Sequence, residues 1–148
     1  MDKVEGILLL DDIVGMLSPN DYEEFAHPYL QRIFSAFPDC IRAYHNDNPG
    51  YSFYDRLSDA GAEVLNFSHL DDISVLDNAI GDRMCLMGNL APLEMLVNGT
   101  PEEVYNTSKK IISSVKHAFL LSAGGGASTG TKPKNIDAMV EAVKSVLN

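Results

Sequence analysis

The sequence predicts an α/β fold of five consecutive strand-then-helix units around a parallel sheet, and three observations carry that prediction. Residues 6–12, 41–49, 62–69, 84–89 and 119–126 are short apolar runs, each closed by polar residues or glycine. Between them the hydrophobic spacing changes from the continuous pattern of a strand buried on both faces to the near-four period of a helix. The chain has 148 residues, 45% of them hydrophobic, which is enough for one core and not for two, so residues 1–148 are read as a single domain.

The elements follow in order. After a polar lead at residues 1–5, Gly-Ile-Leu-Leu-Leu makes the first strand, closed by Asp11 and Asp12. Ser18 is placed to cap a helix, with Pro19 at its first position and Asp21 three residues on. Tyr22, Phe25, Ala26, Tyr29, Leu30, Ile33 and Phe34 continue it at helical spacing. The second strand runs from Ile41 through His45, and a polar turn to Gly50 leads into a helix carrying Phe53, Leu57 and Ala60, with Gly61 as its stop.

Residues 63–67 form the third strand, followed by a helix with Ile73, Leu76 and Ile80 inward and Gly81 at its end. The fourth strand, 84–87, ends at Gly88-Asn89 and enters a helical turn carrying Leu93, Met95 and Leu96. Thr100 and Glu103 around Pro101 predict a capping box for the next helix, which presents Val104, Ile111, Ile112 and Val115 and ends near His117. The fifth strand, 119–123, leads through a Gly-rich loop to a closing helix with Ile136, Met139, Val140, Val143 and Leu147 on one stripe. That loop lacks the pattern of a phosphate-binding loop, because no Ser or Thr follows Lys132, and close backbone packing accounts for its glycines.

Such alternation gives right-handed crossovers covered by helices, closed either as an open doubly wound sheet or as a (β/α) barrel. In both, the site lies beyond the carboxyl ends of the strands, where Asp11, Asp12, His45, Asp47, Asn66, His69, Asn89 and Ser122 gather. Five units are too few for eight strands, so a barrel parent makes this chain its C-terminal part. A formal charge of −10 and the lack of any Lys/Arg cluster argue against nucleic acid as a partner. No basic-then-apolar leader and no apolar run of about 20 residues appear, which makes a cytoplasmic location and no membrane contact the expectation. Cys40 and Cys85 have no neighbours at metal-site spacing and read as small buried hydrophobes.

Ile41-Arg42-Ala43-Tyr44-His45-Asn46-Asp47-Asn48-Pro49 is where a strand stops and chemistry can begin. One intervening residue on an extended segment turns His45 and Asp47 to the same side, as a metal pair requires. Asp11 and Asp12 point to opposite faces, so one of them is expected in the site and the other at a helix cap. Asn66, His69 and Asn89 are further candidates; each also fits an ordinary loop hydrogen bond at a strand end.

Asp11-Asp12-Ile13-Val14-Gly15 with Ser18-Pro19 and Pro28-Tyr29, Met87-Gly88-Asn89-Leu90-Ala91-Pro92, Gly99-Thr100-Pro101-Glu102-Glu103-Val104 and Asn135-Ile136-Asp137-Ala138-Met139-Val140 together resemble the uroporphyrinogen decarboxylase superfamily, in order and spacing across essentially the whole chain. The superfamily contains the decarboxylases and related cobalamin-dependent methyltransferases. The resemblance implies the C-terminal part of a (β/α)8 TIM-type barrel, from about the fourth strand to the eighth. Leu10-Asp11-Asp12-Ile13-Val14-Gly15 stands for the decarboxylase's Phe-Asp-Ser-Trp-Ala-Gly, and Gly124-Gly125-Gly126 for its Gly-His-Gly, departures that favour the methyltransferase branch. That branch binds zinc through His-x-Cys and a later Cys; the matching positions here are His45, Asp47 and Gly125.

The resemblance thus implies metal ligands His45 and Asp47, with a third ligand elsewhere; Asp11, Asn66 and Asn89, from their places at the strand ends, are the catalytic candidates. Zinc is the implied metal, with a corrinoid carried by a partner protein and a small-molecule methyl donor or acceptor. Two rivals stand beside it. One is uroporphyrinogen decarboxylation, which holds substrate carboxylates with basic groups; Arg42, Arg56 and Arg83 are scattered for that purpose. The other is a part-barrel without its own activity, stabilised as a homo-oligomer because its sheet has open edges.

Overall fold

The computed structural model describes residues 4–48 and 53–147. Residues 1–3 of the expected lead, and Pro49 and Gly50 of the expected turn, lie outside them. Five parallel strands form one sheet in the order β1-β2-β3-β4-β5: β1 (Gly6–Leu10), β2 (Ile41–Asn46), β3 (Val64–Phe67), β4 (Cys85–Leu90) and β5 (Phe119–Ala123). Sequential order without a reversal is the arrangement of a barrel arc.

The register separates the two faces. Leu9, Tyr44, Leu65, Leu86 and Phe119 lie side by side across the five strands. All belong to, or pack against, the main core, where α1 (Pro19–Phe25), α2 (His27–Ser35), α3 (Tyr54–Asp59) and α4 (Ile73–Ile80) bury Tyr22, Leu30, Phe34, Leu57, Leu76 and Ile80. One residue further along each strand, Leu10, His45, Asn66, Met87 and Leu120 form the row of the opposite face. Among the described residues no helix covers Leu10 and Leu120 on that face, and they are 68% and 49% exposed. The first strand is therefore open on one side, where its unbroken apolar run predicts burial on both.

Local signals act as the sequence predicts at three helix ends. Ser18 accepts the Asp21 N–H at the start of α1, and Thr100 with Glu103 closes a full capping box on α5 (Pro101–Ser113). Gly61, at φ +98°, carries the chain away from α3 through a backbone shape that L side chains avoid. Gly81 differs: it ends α4 in right-handed conformation.

Three boundaries and one buried face depart from expectation. The single helix expected over residues 22–34 breaks at Ala26, because Pro28 in the first turn of α2 has no N–H for the ladder and its ring excludes the carbonyl four residues back. β4 continues to Leu90, since β5 supplies ladder partners for Gly88, Asn89 and Leu90. α5 stops at Ser113 rather than near His117; the Ser113 and Ser114 hydroxyls turn back onto the Lys110 carbonyl at 2.9 and 2.7 Å, competing with further helix. On α6 (Pro133–Leu147) the apolar stripe is only partly inward: Met139 is buried, while Val140 is 47% and Leu147 81% exposed beyond the edge of β5.

The residues 92–98 expected as a helical turn form one turn of π-helix with Leu96 inward. Asn135 locks it to α6, donating to the carbonyls of Met95, Leu96 and Gly99 at 3.0, 3.1 and 3.0 Å. No helix is long and apolar enough to cross a membrane among the described residues.

Candidate metal centre at the carboxyl ends of the strands

The ends of β1 and β2 are laced together, and the lacing decides which side chains face the mouth. Asp11 N–H donates to the His45 carbonyl at 3.0 Å, which extends the ladder one residue beyond the strand. Its own carbonyl is then held by Asn46 Nδ2 at 2.7 Å and Tyr44 Oη at 3.3 Å. Both of these side chains are fully buried, so the anchor is rigid. Burial and the nearby Asp11 carboxylate raise the Tyr44 hydroxyl well above its ordinary range, and it stays a neutral donor.

With the Asp11 peptide fixed, the two adjacent carboxylates part. Asp11 Oδ1 turns to the next turn and accepts the N–H groups of Ile13 and Val14 at 3.2 and 3.3 Å. Asp12 goes the other way: its Oδ1 accepts the Asp47 N–H at 2.9 Å and lies 3.9 Å from His45 Nε2. Asn48 Nδ2 donates to the Asp12 carbonyl and closes the loop. Asp47 Oδ2 approaches His45 Nε2 to 3.6 Å.

Asp12, His45 and Asp47 thus offer one ligand atom each within 4.8 Å of one another. Ligand atoms on a tetrahedral zinc with bonds of about 2.0 Å stand roughly 3.3 Å apart, so separations of 3.6 and 3.9 Å fit a cation with small side-chain shifts. Two carboxylates and an imidazole also match the donors that zinc and similar divalent ions accept. Sequence spacing points to His45 and Asp47, and of the Asp11-Asp12 pair Asp11 is the candidate read from the sequence; in the structure Asp11 is turned to the Ile13 and Val14 N–H groups and it is Asp12 that joins the cluster. The signal for Asp12 lies in the strand register and in the buried Tyr44 and Asn46 that hold the Asp11 carbonyl, which only a folded sheet displays.

The other predicted residues fall in different places. Asn66 is buried beside His45, with its Oδ1 2.5 Å from His45 Nδ1. Asn89 is turned to backbone, donating to the carbonyls of Asp71 and Ser68 at 2.9 and 3.4 Å, and so ties β4 to the loop after β3. His69 lines a cavity of about 270 Å³ together with Asp47, Ser68, Glu94, Gly124 and Ser128. Ser122 lies instead against an apolar groove beside α6. Position 125, at φ +110°, packs on the site through its bare backbone: a Cβ there would stand 2.5 Å from Asp47 Oδ1. The Gly-rich loop therefore serves close packing, as its sequence suggests.

The family model described as uroporphyrinogen decarboxylase (URO-D) matches residues 2–146. A uroporphyrinogen decarboxylase from Chlorobaculum tepidum is 28% identical over 154 residues, covering 95% of this chain and 42% of the relative. One from Dechloromonas aromatica is 29% identical, with 95% and 41% covered. Among solved structures, a methyltransferase from Methanosarcina mazei superposes with a TM-score of 0.86 at 20% identity, over 97% of this chain and 43% of that one. The chain spans about two fifths of the length of these relatives, and its five-unit sheet is part of their larger barrel. By the extent of the family match, the chain belongs to the uroporphyrinogen decarboxylase family.

Proposed function

We propose that the chain is the C-terminal part of a methyltransferase of this family, one that moves a methyl group between a small donor or acceptor and a corrinoid carried by a partner protein, with zinc held by Asp12, His45 and Asp47. The observation that carries the reading is the convergence of those three side chains from two strand ends onto one point beside an open cavity. When bound, the cation supplies Lewis acidity, lowering the pKa of an acceptor thiol or polarising a leaving atom.

The chain's own residues do the rest. His45 offers Nε2, and the two carboxylates neutralise the charge of a divalent ion. Ser68, His69 and Glu94, together with Leu70 and Leu93, line the space next to Asp47, where a small substrate meets both polar and apolar groups. The solved structure that this fold resembles carries the name methyltransferase, which supports the same reading.

Porphyrinogen decarboxylation is the second reading, and the names of the curated relatives favour it. It requires cationic groups for the substrate's carboxylates. Arg42 is bound to Glu63 at 3.0 Å and to the Gly61 carbonyl at 2.7 Å, near the start of β2 and away from the mouth. Arg56 pairs with Glu23, and Arg83 with the Asp55 carbonyl. Among the described residues, no Lys or Arg lines the cavity beside Asp47.

Elemental analysis of the purified chain and of its His45→Ala variant tests the proposal. Near one zinc per chain, lost in the variant, is the expected result. Metal-free protein in both, together with decarboxylation of uroporphyrinogen by the full-length polypeptide, would overturn it in favour of the second reading.

A further inference from the structure

We infer that Asn66 is a positioning residue that sets the tautomer of His45, holding the imidazole proton on Nδ1 so that Nε2 presents a lone pair between Asp12 and Asp47. The inference deepens the metal-site reading and rests on it for its functional meaning. Its structural content stands on the hydrogen-bond network alone.

Register places the two residues side by side: His45 on β2 pairs with Asn66 on β3, and Asn66 with Met87 on β4. The Asn66 side chain then spans the mouth. Its Nδ2 has two acceptors, the Met87 carbonyl at 2.8 Å and the Ala123 carbonyl of β5 at 3.2 Å. A carbonyl oxygen can only accept, so both demand an amide N–H, and the orientation of the Asn66 amide is fixed. Turning it over would bring Oδ1 against two carbonyl oxygens inside a residue that is only 4% exposed.

Oδ1 is therefore the atom that meets His45 Nδ1, at 2.5 Å. An amide oxygen is an acceptor, so Nδ1 must carry the hydrogen. In the neutral ring, the remaining nitrogen has no hydrogen. That nitrogen, Nε2, is the one that faces Asp12 Oδ1 and Asp47 Oδ2. A neutral imidazole with the opposite tautomer would point a hydrogen where a cation has to sit.

The arrangement also joins the site to the last strand. The Ala123 carbonyl immediately precedes residues 124–126, the loop that packs on Asp47. Asn66 is thus bonded on one side to His45 and on the other to the strand that carries the wall of Asp47. An outer-shell group of this kind acts on ligand orientation and basicity and touches neither metal nor substrate.

Nuclear magnetic resonance of the full chain with ¹⁵N-labelled histidine reads the tautomer directly. The protein is stripped with a chelator and observed in long-range ¹H–¹⁵N correlation at a pH where the ring is neutral. His45 is assigned among the four histidines by loss of its signals in His45→Gln. The expected wild-type pattern is a protonated Nδ1 and an unprotonated Nε2. Asn66→Leu, which removes the acceptor, is expected to move most of the population to a protonated Nε2.

A wild-type spectrum with the proton on Nε2 overturns the inference even if that variant fails to fold. So does an unchanged pattern in a folded Asn66→Leu. The two readings separate cleanly: a protonated Nδ1 in protein that takes up no zinc sinks the zinc proposal alone, whereas zinc-binding protein whose metal-free His45 carries its proton on Nε2 sinks the Asn66 role alone.

Discussion

At position 125 the absence of a side chain is itself part of the site. The Asp47 carboxylate occupies the space that a Cβ at residue 125 would need, with Oδ1 at 2.5 Å and Oδ2 at 2.8 Å from it. Gly125→Ala should displace Asp47 and weaken zinc binding about 10-fold, the lower range for disturbed metal-site support. It should also cost on the order of 1–2 kcal/mol of stability, since φ is +110° there. Gly126→Ala is the control, because nothing lies within 4 Å of the added carbon. Competition titration against a chromophoric chelator measures both, and equal affinities for the two variants would refute the packing argument. His45 and Asp47 are visible in the sequence because alternation along one strand suffices to pair them. Asp12 and Asn66 acquire their places from neighbouring strands, and the choice between Asp11 and Asp12 turns on the buried anchors Tyr44 and Asn46 rather than on anything local.

Between elements, Asp77 on α4 is the counterpart at the opposite end of the sheet. Only 2% exposed, it accepts the N–H of Lys116 at 2.8 Å and of His117 at 3.3 Å, and meets His117 Nδ1 at 3.1 Å. The clamp catches the chain just before β5 and explains in part why α5 ends early. Burial pushes the Asp77 carboxyl up, but the two backbone donors and His117 outweigh it and hold the group below the ordinary Asp range. A carboxyl with a depressed folded-state pKa stabilises the fold above its unfolded value, about 3.9, and the contribution fades as pH falls through the folded value. Asp77→Ala should therefore cost about 1.5–3 kcal/mol near neutral pH, as for a hydrogen-bonded charged group, and less at pH well below 3.9. Urea unfolding at both pH values checks the sign; a cost that grows on acidification would mean that the clamp does not depend on the ionised form. Helix starts such as Ser18 and Thr100 are legible because the signal sits within four residues. The 39-residue span from Asp77 to Lys116 leaves no local trace.

Taken whole, the molecule has a finished side and an unfinished one. β1 and β5 have no further strand partner among the described residues, and the row of the uncovered face includes Leu10 and Leu120. Ile41 at the start of β2 is 60% exposed and Val146 on α6 50%. The five units are legible from alternation, whereas their sequential order in the sheet is not, since a doubly wound sheet fits the same alternation. Closure is not legible either, because it depends on chain that lies beyond two fifths of the family's length. Apolar surface of this kind is stabilised by burial at about 25 cal/mol per Å², so purified chain should self-associate, covering the open face and strand edges as a homo-oligomer. Each copy carries a formal charge of −10, which opposes that association. Added salt screens the repulsion and leaves apolar burial in place, so the mass in light scattering should rise with ionic strength. Association that weakens with salt would assign the contact to ion pairs instead, and a monomer at every salt concentration would mean that the exposed sheet is covered within one chain.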